Sequence, residues 1–276
     1  LTMARPALAW LRPPKAGPDG VMTLADHLRE LRYRLIVSVI AIIAAAAVAA
    51  IWYEQLYQLL MRPYLLAVDM LSRSHPSLET TTVISGVTAP FILALKVCVV
   101  AGLIIASPVW VYQIWGFVVP ALLAKEKKWA LVFMAVAVPL FLFGVVVGYL
   151  ILPQGISVML AFTPDSVPIL NLLEVDRFLD LTLRLMVVFG LGFLMPVVVV
   201  GLNLIGVVRA SQLAKARTYV IFGPFVFGAA ATPSTDPFSM LALAVPMTVL
   251  YLIAELIARI HDRRLAAAET AAEVSG

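Results

Sequence analysis

Apolar residues run along this chain in long blocks, and charged residues gather between the blocks. A helix needs about 20 apolar residues to cross ~30 Å of hydrocarbon. Trimmed at turn residues, the blocks predict six helices, near 33–52, 92–115, 129–151, 181–206, 218–231 and 238–257. The fold class this implies is an all-α polytopic membrane protein. Helices five and six are short. The fifth holds about 14 residues, roughly 21 Å at 1.5 Å per residue. The turn between them, Ala231-Thr232-Pro233-Ser234-Thr235-Asp236-Pro237, is dense in turn formers. Such short helices predict a locally thinned bilayer beside them. A re-entrant hairpin is the other arrangement the pattern allows.

The segments outside the helices divide by length and pattern. Residues 1–22 are Pro-rich and Arg-bearing, with no apolar centre before Met22, so they read as a loose tail and not as a cleaved signal peptide. The membrane domain is expected over 23–258, with a second tail at 259–276. Residues 53–91 are long for a bare connection. Tyr53, Leu56, Tyr57, Leu59 and Leu60 recur at helical spacing, which predicts a short amphipathic helix broken at Pro63. Residues 153–180 form a second outer segment between helices, carrying Asp165, Glu174, Asp176 and Asp180.

Charge placement adds orientation. Fifteen of the 20 Lys and Arg residues fall in the N-terminal stretch up to Arg34, in the C-terminal tail and in the loops between helices two and three and between four and five. Lys and Arg concentrate on the cytoplasmic side of membrane proteins. Both termini are therefore expected in the cytoplasm, in agreement with an even helix number.

Composition fits this picture. Hydrophobic residues make up 62% of the 276 and charged residues 13%, whereas soluble domains are nearer half apolar and a quarter charged. The single cysteine, Cys98, excludes an internal disulfide and a thiolate metal site. The three histidines, His27, His75 and His261, are far apart in sequence. No H-E-x-x-H, G-x-S-x-G or Walker A pattern occurs. Neither an enzyme nor a cofactor is expected, and energy for any transport must come from elsewhere.

Two charged clusters interrupt the apolar pattern. "DHLRELRYR", Asp26–Arg34, stands at the foot of the first helix. Thr23 to Asp26 fits a capping box, so a helix is expected from Leu24. Leu24, Leu28, Leu31 and Leu35 fall on one stripe, and Glu30 lies away from it, which predicts a water-facing Glu30. Glu30 and Arg34 have the spacing of a surface ion pair worth a few tenths of a kcal/mol. The second cluster closes "SPVWVYQIWGFVVPALLAKEKK", Ser107–Lys128. Its aromatics Trp110, Tyr112, Trp115 and Phe117 suit a membrane–water interface. Pro120 is expected to end the helix, and Glu126 is the one acid among three lysines. By itself Glu126 also reads as a solvated loop acid.

These stretches resemble the TatC family, the large subunit of the twin-arginine protein translocase. "HLRELRYR" is similar to its HL-x-E-L-R signature, and "APFILALKV" (Ala89–Val97) to its PF-x-x-x-x-K segment. "ASPVWVYQIWGFVVPALLAKEKK" resembles its SP-x-x-x-Y-Q-x-W-x-F-x-x-P-x-L-x-x-x-E block, and "FGLGFLMPV" (Phe189–Val197) and "ATPSTDPFSMLALAVPM" (Ala231–Met247) resemble its fourth helix and TP-x-D turn. The similarity covers about residues 23 to 262. It implies a receptor for signal peptides carrying paired arginines on folded cargo, driven by the proton-motive force, in the plasma membrane of a prokaryote. The resemblance assigns the arginine-pair site to Glu30 and Glu126, with Arg32 orienting Glu30 and Phe117 and Pro120 shaping the site. Leu28, Pro63, Phe91 and Asp236 also match family positions. It implies as partners the single-span subunits TatA and TatB, or TatA alone, further copies of the chain, and the lipid bilayer, with no nucleic acid.

One position departs from the pattern. Leu194 stands where family members commonly carry a glutamate in helix four, with Asn203, Gln113 and Thr248 as polar residues that could substitute. The competing reading is a secondary transporter or channel subunit for small solutes. Such proteins bury ionisable groups near mid-membrane and show internal repeats. No repeat is evident, and Lys96, Arg184 and Glu255 fall near predicted helix ends, where they can snorkel. A scaffold without a ligand is a third reading. Small residues at Ala44–Ala47, Gly190, Gly192 and Gly228–Ala231 would let helices approach closely.

Overall fold

The structure, a computed structural model, describes residues 24–74, 79–118, 127–162, 170–204, 206–231 and 237–275. In chain order the described elements are α1 (Leu24–Ala49), a 3-10 turn (Ala50–Trp52), α2 (Tyr53–Ser74), β1 (Glu79–Val83), α3 (Ala89–Ile105), α4 (Ser107–Val118), α5 (Lys127–Leu150), α6 (Leu152–Leu160), β2 (Leu170–Glu174), α7 (Val175–Leu204), α8 (Ala210–Ala231) and α9 (Pro237–Ser275). Among the described residues four helical segments are long and apolar enough to span a bilayer. The pair α3 and α4, taken as one broken span, makes five. The remaining expected span, 218–231, lies on α8. The polytopic all-α architecture stands. Residues 1–22 and the turn 232–236 lie outside the described residues.

Several boundaries differ from expectation. The second predicted helix is two, bent by 60° between Ile105 and Ser107. Pro108 explains the break, since it lacks the N–H that would continue the ladder. Trp110 ties the bend: its indole N–H donates to the Leu103 carbonyl at 2.8 Å. Pro63 does not end the helix from Tyr53; α2 runs through it to Ser74. The missing proton at Pro63 is tolerable in a helix whose Pro63 side is buried beside Leu60, Tyr64 and Ala67. The apolar portions of the last two spans are short as expected, but the helices continue past them, over 22 residues in α8 and 39 in α9. Strong helix formers such as "SQLAKAR" and "RRLAAAETAAE" carry them onward.

By packing, the chain divides into two compact units: residues 1–52 with 98–138, and residues 53–97 with 139–276. In the first unit, α1 packs on α4. Gly102 of α3 lies so close to α1 that a Cβ there would sit 2.6 Å from the Ala46 backbone nitrogen. Trp115 stacks on Phe133 of α5 at 3.5 Å and 8°. Trp110 and Trp115 are buried, not presented to an interface as their composition suggested. Their ring area is worth more inside the unit than against lipid, which is equally apolar but less well fitted.

In the second unit, Leu152, Leu185, Phe189 and Phe193 form a core. A Cβ on Gly144 would meet the Phe189 carbonyl at 2.6 Å, and one on Gly190 would meet Phe141 at 2.7 Å. Gly190 is thus spent on packing within the chain. β1 and β2 pair in parallel, Glu79 opposite Leu170 through Val83 opposite Glu174. This small sheet was not expected; its signal was the β-branched run Thr80–Val83. Lys96 bonds Asp180 at 2.7 Å, and Arg184 lies 3.6 Å from the same carboxylate.

Glu255 does not snorkel. It is 2% exposed and takes a two-pronged contact from Arg217, Nε at 3.0 Å and Nη2 at 2.7 Å, plus Arg259 at 2.6 Å. Nearby, Asp262 accepts the Ala210 N–H at the start of α8 (2.7 Å) and the Asn203 amide (3.0 Å). The Tyr251 hydroxyl donates to the Leu213 carbonyl at 2.9 Å. In the polar seam joining α7, α8 and α9 both carboxylates therefore have their donors, while Asn203 Oδ1 stays buried without one among the described residues.

Two stability predictions follow from these contacts, both read by thermal unfolding of purified protein in detergent. Gly144→Ala should lower Tm, because overpacking against backbone costs about 1–3 kcal/mol. Gly223→Ala, where nothing lies within 4 Å, should leave Tm unchanged or raise it, since Ala is better than Gly in a helix by about 0.5–1 kcal/mol. Equal effects at the two sites would refute the close approach of α5 and α7. At the seam, Arg217→Ala with Arg259→Ala should cost about 3–5 kcal/mol by stranding a buried carboxylate. Glu255→Leu should cost only about 1–2 kcal/mol, because both arginines are partly exposed and can reach water. A double arginine variant as stable as Glu255→Leu would show that the carboxylate is not held by this pair.

Candidate functional site

The foot of α1 carries the first charged cluster, and Leu24, the first described residue, is already helical. Its orientation is opposite to the expected one. Glu30 is buried, 4% exposed, while Leu24, Leu28, Leu31 and Leu35 are 40–76% exposed. The leucine stripe is the outer surface of the helix, and the polar flank packs inward. Periodicity located the two faces correctly, but the rule that apolar means inside belongs to water. In lipid an apolar stripe can face outward at no cost, whereas a carboxylate must find donors within the protein.

Glu30 finds them in part. Arg34, one turn on, donates Nε (2.9 Å) and Nη2 to the same oxygen, Oε1. The Arg34 Nη1 reaches toward the side-chain Oε1 of Gln113 on α4 at 3.4 Å. The second oxygen, Oε2, is buried and has no hydrogen-bond partner among the described residues. A buried acceptor without a donor costs about 1–3 kcal/mol. The Nδ1 of His27 lies 4.0 Å from Oε2. The His27 ring in turn stacks on Phe117 of α4, with centroids 4.4 Å apart and planes 13° from parallel. His27, Glu30, Arg34, Gln113 and Phe117 thus form one cluster within the first unit.

Of the residues singled out in the sequence, Glu30 and Phe117 come together, joined through His27. Arg32 does not join them. It is exposed, and the guanidinium that holds Glu30 is Arg34. The spacing explains the correction, because residues two apart lie on opposite sides of a helix and residues four apart share a side. Leu28 is on the exposed stripe. Pro63 is fully buried in α2, and Phe91 is 74% exposed on α3, both in the second unit. Glu126, Pro120 and Asp236 lie outside the described residues. Leu194 is half-buried in α7, Asn203 is committed to the turn between α7 and α8 through the Val208 carbonyl, and Gln113 belongs to the Arg34 cluster. The residues that sequence reasoning passed over are His27 and Arg34 as members of the site. Their spacing to Glu30, three before and four after, was the available signal.

Comparison with known proteins agrees with this architecture. Residues 26–246 match the family model described as Sec-independent protein translocase protein (TatC). A protein of that name from Frankia casuarinae is 37% identical over 252 residues, covering 90% of this chain and 68% of its own length. Another from Aquifex aeolicus is 34% identical over 244 residues, covering 88% of this chain and 97% of its own. A crystal structure titled twin arginine translocase receptor TatC superposes with a TM-score of 0.70 at 33% identity, covering 85% of this chain and 98% of that one. A second crystal structure of that receptor, in the detergent DDM, gives a TM-score of 0.71. With a family model spanning most of its length and relatives this similar, the chain belongs to the TatC family of Sec-independent protein translocase proteins.

Proposed function

We propose that this chain is the receptor and core subunit of a twin-arginine protein translocase, in the plasma membrane of a prokaryote with both termini in the cytoplasm. It recognises twin-arginine signal peptides of folded cargo and works with the single-span subunits TatA and TatB, or TatA alone, drawing on the proton-motive force. Family membership supports the pathway. The observation that carries the receptor reading is the half-satisfied carboxylate of Glu30. A buried acidic oxygen lacking a donor, beside an aromatic pair at the foot of α1, is suited to an incoming guanidinium. Arginine supplies charge-assisted donors in a planar head. Glu126, on the segment after α4, is the second carboxylate of this reading. The rival reading of a small-solute transporter draws no support from Lys96 and Glu255, which are already paired with Asp180 and with two arginines.

The test is photo-crosslinking in membranes between this protein and a signal peptide bearing paired arginines. Glu30→Gln and Glu126→Gln should each reduce the crosslink roughly tenfold or more, the worth of one charge-assisted hydrogen bond. A Lys-Lys peptide should crosslink weakly to the native protein. Crosslinks indifferent to both substitutions would remove the receptor site from these carboxylates.

A further inference from the structure

The geometry around Glu30 points to His27 as the residue that makes the site prefer arginine to lysine, an inference that rests on the receptor reading above. Arginine is commonly selected over lysine by a fork of two N–H groups spanning both oxygens of a carboxylate. That route is closed here. Arg34 already donates twice to Oε1 and is itself only 15% exposed. An incoming cation can reach Oε2 alone, through a single contact that an ammonium could make as well. At Glu30, discrimination must therefore come from what flanks Oε2.

The flank is the imidazole of His27. Its Nδ1 is 4.0 Å from Oε2, and its side chain is 39% exposed where that of Glu30 is 5% exposed. The ring is held in position from behind by the stack on Phe117. His27 is the more exposed side chain beside Oε2, so a donor coming in from its side would lie alongside this ring. A guanidinium is planar, weakly hydrated and stacks on aromatic faces; an ammonium is compact, strongly hydrated and gains nothing from a flat wall. His27 is thus a specificity-determining residue of the arginine site. Phe117 acts partly through it, and Arg34 is a positioning residue that fixes Oε1 and leaves Oε2 without a donor.

The test is a titration of the purified full chain in lipid nanodiscs with fluorescent signal peptides carrying Arg-Arg, Lys-Arg or Lys-Lys. The quantity read is the ratio of Arg-Arg to Lys-Lys affinity. His27→Ala should shrink that ratio roughly three- to thirtyfold, the range of a cation on an aromatic face, with Lys-Lys binding little changed. His27→Phe, which keeps a flat ring on Phe117, should retain the native ratio. A ratio that His27→Ala leaves unchanged, or equal weakening of all three peptides, overturns the inference. Glu30→Gln in the same titration separates the two levels. If it weakens Arg-Arg binding while the ratio ignores His27, only the present inference fails; if it changes nothing, the receptor reading fails with it.

Discussion

Lipid offers no hydrogen bond to a carboxylate, and that constraint decides where this chain keeps its charges. Glu30 and Glu255 are its two buried acids among the described residues, and each lies against arginine. Glu255 receives three donor contacts and is complete. Glu30 receives two, both on one oxygen, and is incomplete. The contrast separates a structural ion cluster from a candidate binding site more sharply than sequence position or exposure does. The same constraint turns the leucines of α1 outward, since an apolar stripe in lipid needs no partner.

Close backbone approach is the second organising feature, and it follows from the first. Where helices gain little from withdrawing apolar surface from lipid, packing must supply the attraction, and packing improves as axes approach. Gly102 against Ala46, and Gly144 against Phe189, are places where even a methyl group would collide with backbone. Small residues that looked available for partner subunits are, at Gly190, already used inside the chain. A partner that packs on this protein would have to use other surface.

Much of this was legible in the sequence. Long charge-free blocks located the apolar helices. Ordered motifs identified the family and drew attention to Glu30 and Phe117. The reversed faces of α1 were not legible, because periodicity reports that two faces differ and leaves open which one meets protein. The break at Ala106 was recoverable from Pro108 in hindsight. It was hidden because the residues on both sides are equally apolar, so no change of pattern marks it. Arg34 was read as an ordinary surface pair for Glu30, and the burial that changes its meaning comes from α4, about 80 residues away in sequence.

Burial gives the Glu30–Arg34 pair a consequence that an exposed pair lacks. The Arg34 guanidinium is already committed to Oε1. Arg34 also fixes the carboxyl plane, so that Oε2 is held beside His27 before any ligand arrives. A ligand then loses less to ordering the site than it would if Glu30 were a free surface side chain. The cost is one buried oxygen without a donor, which in the proposed receptor role an arriving arginine would relieve. In that role the internal arginine would prepare the carboxylate and the external one would complete it.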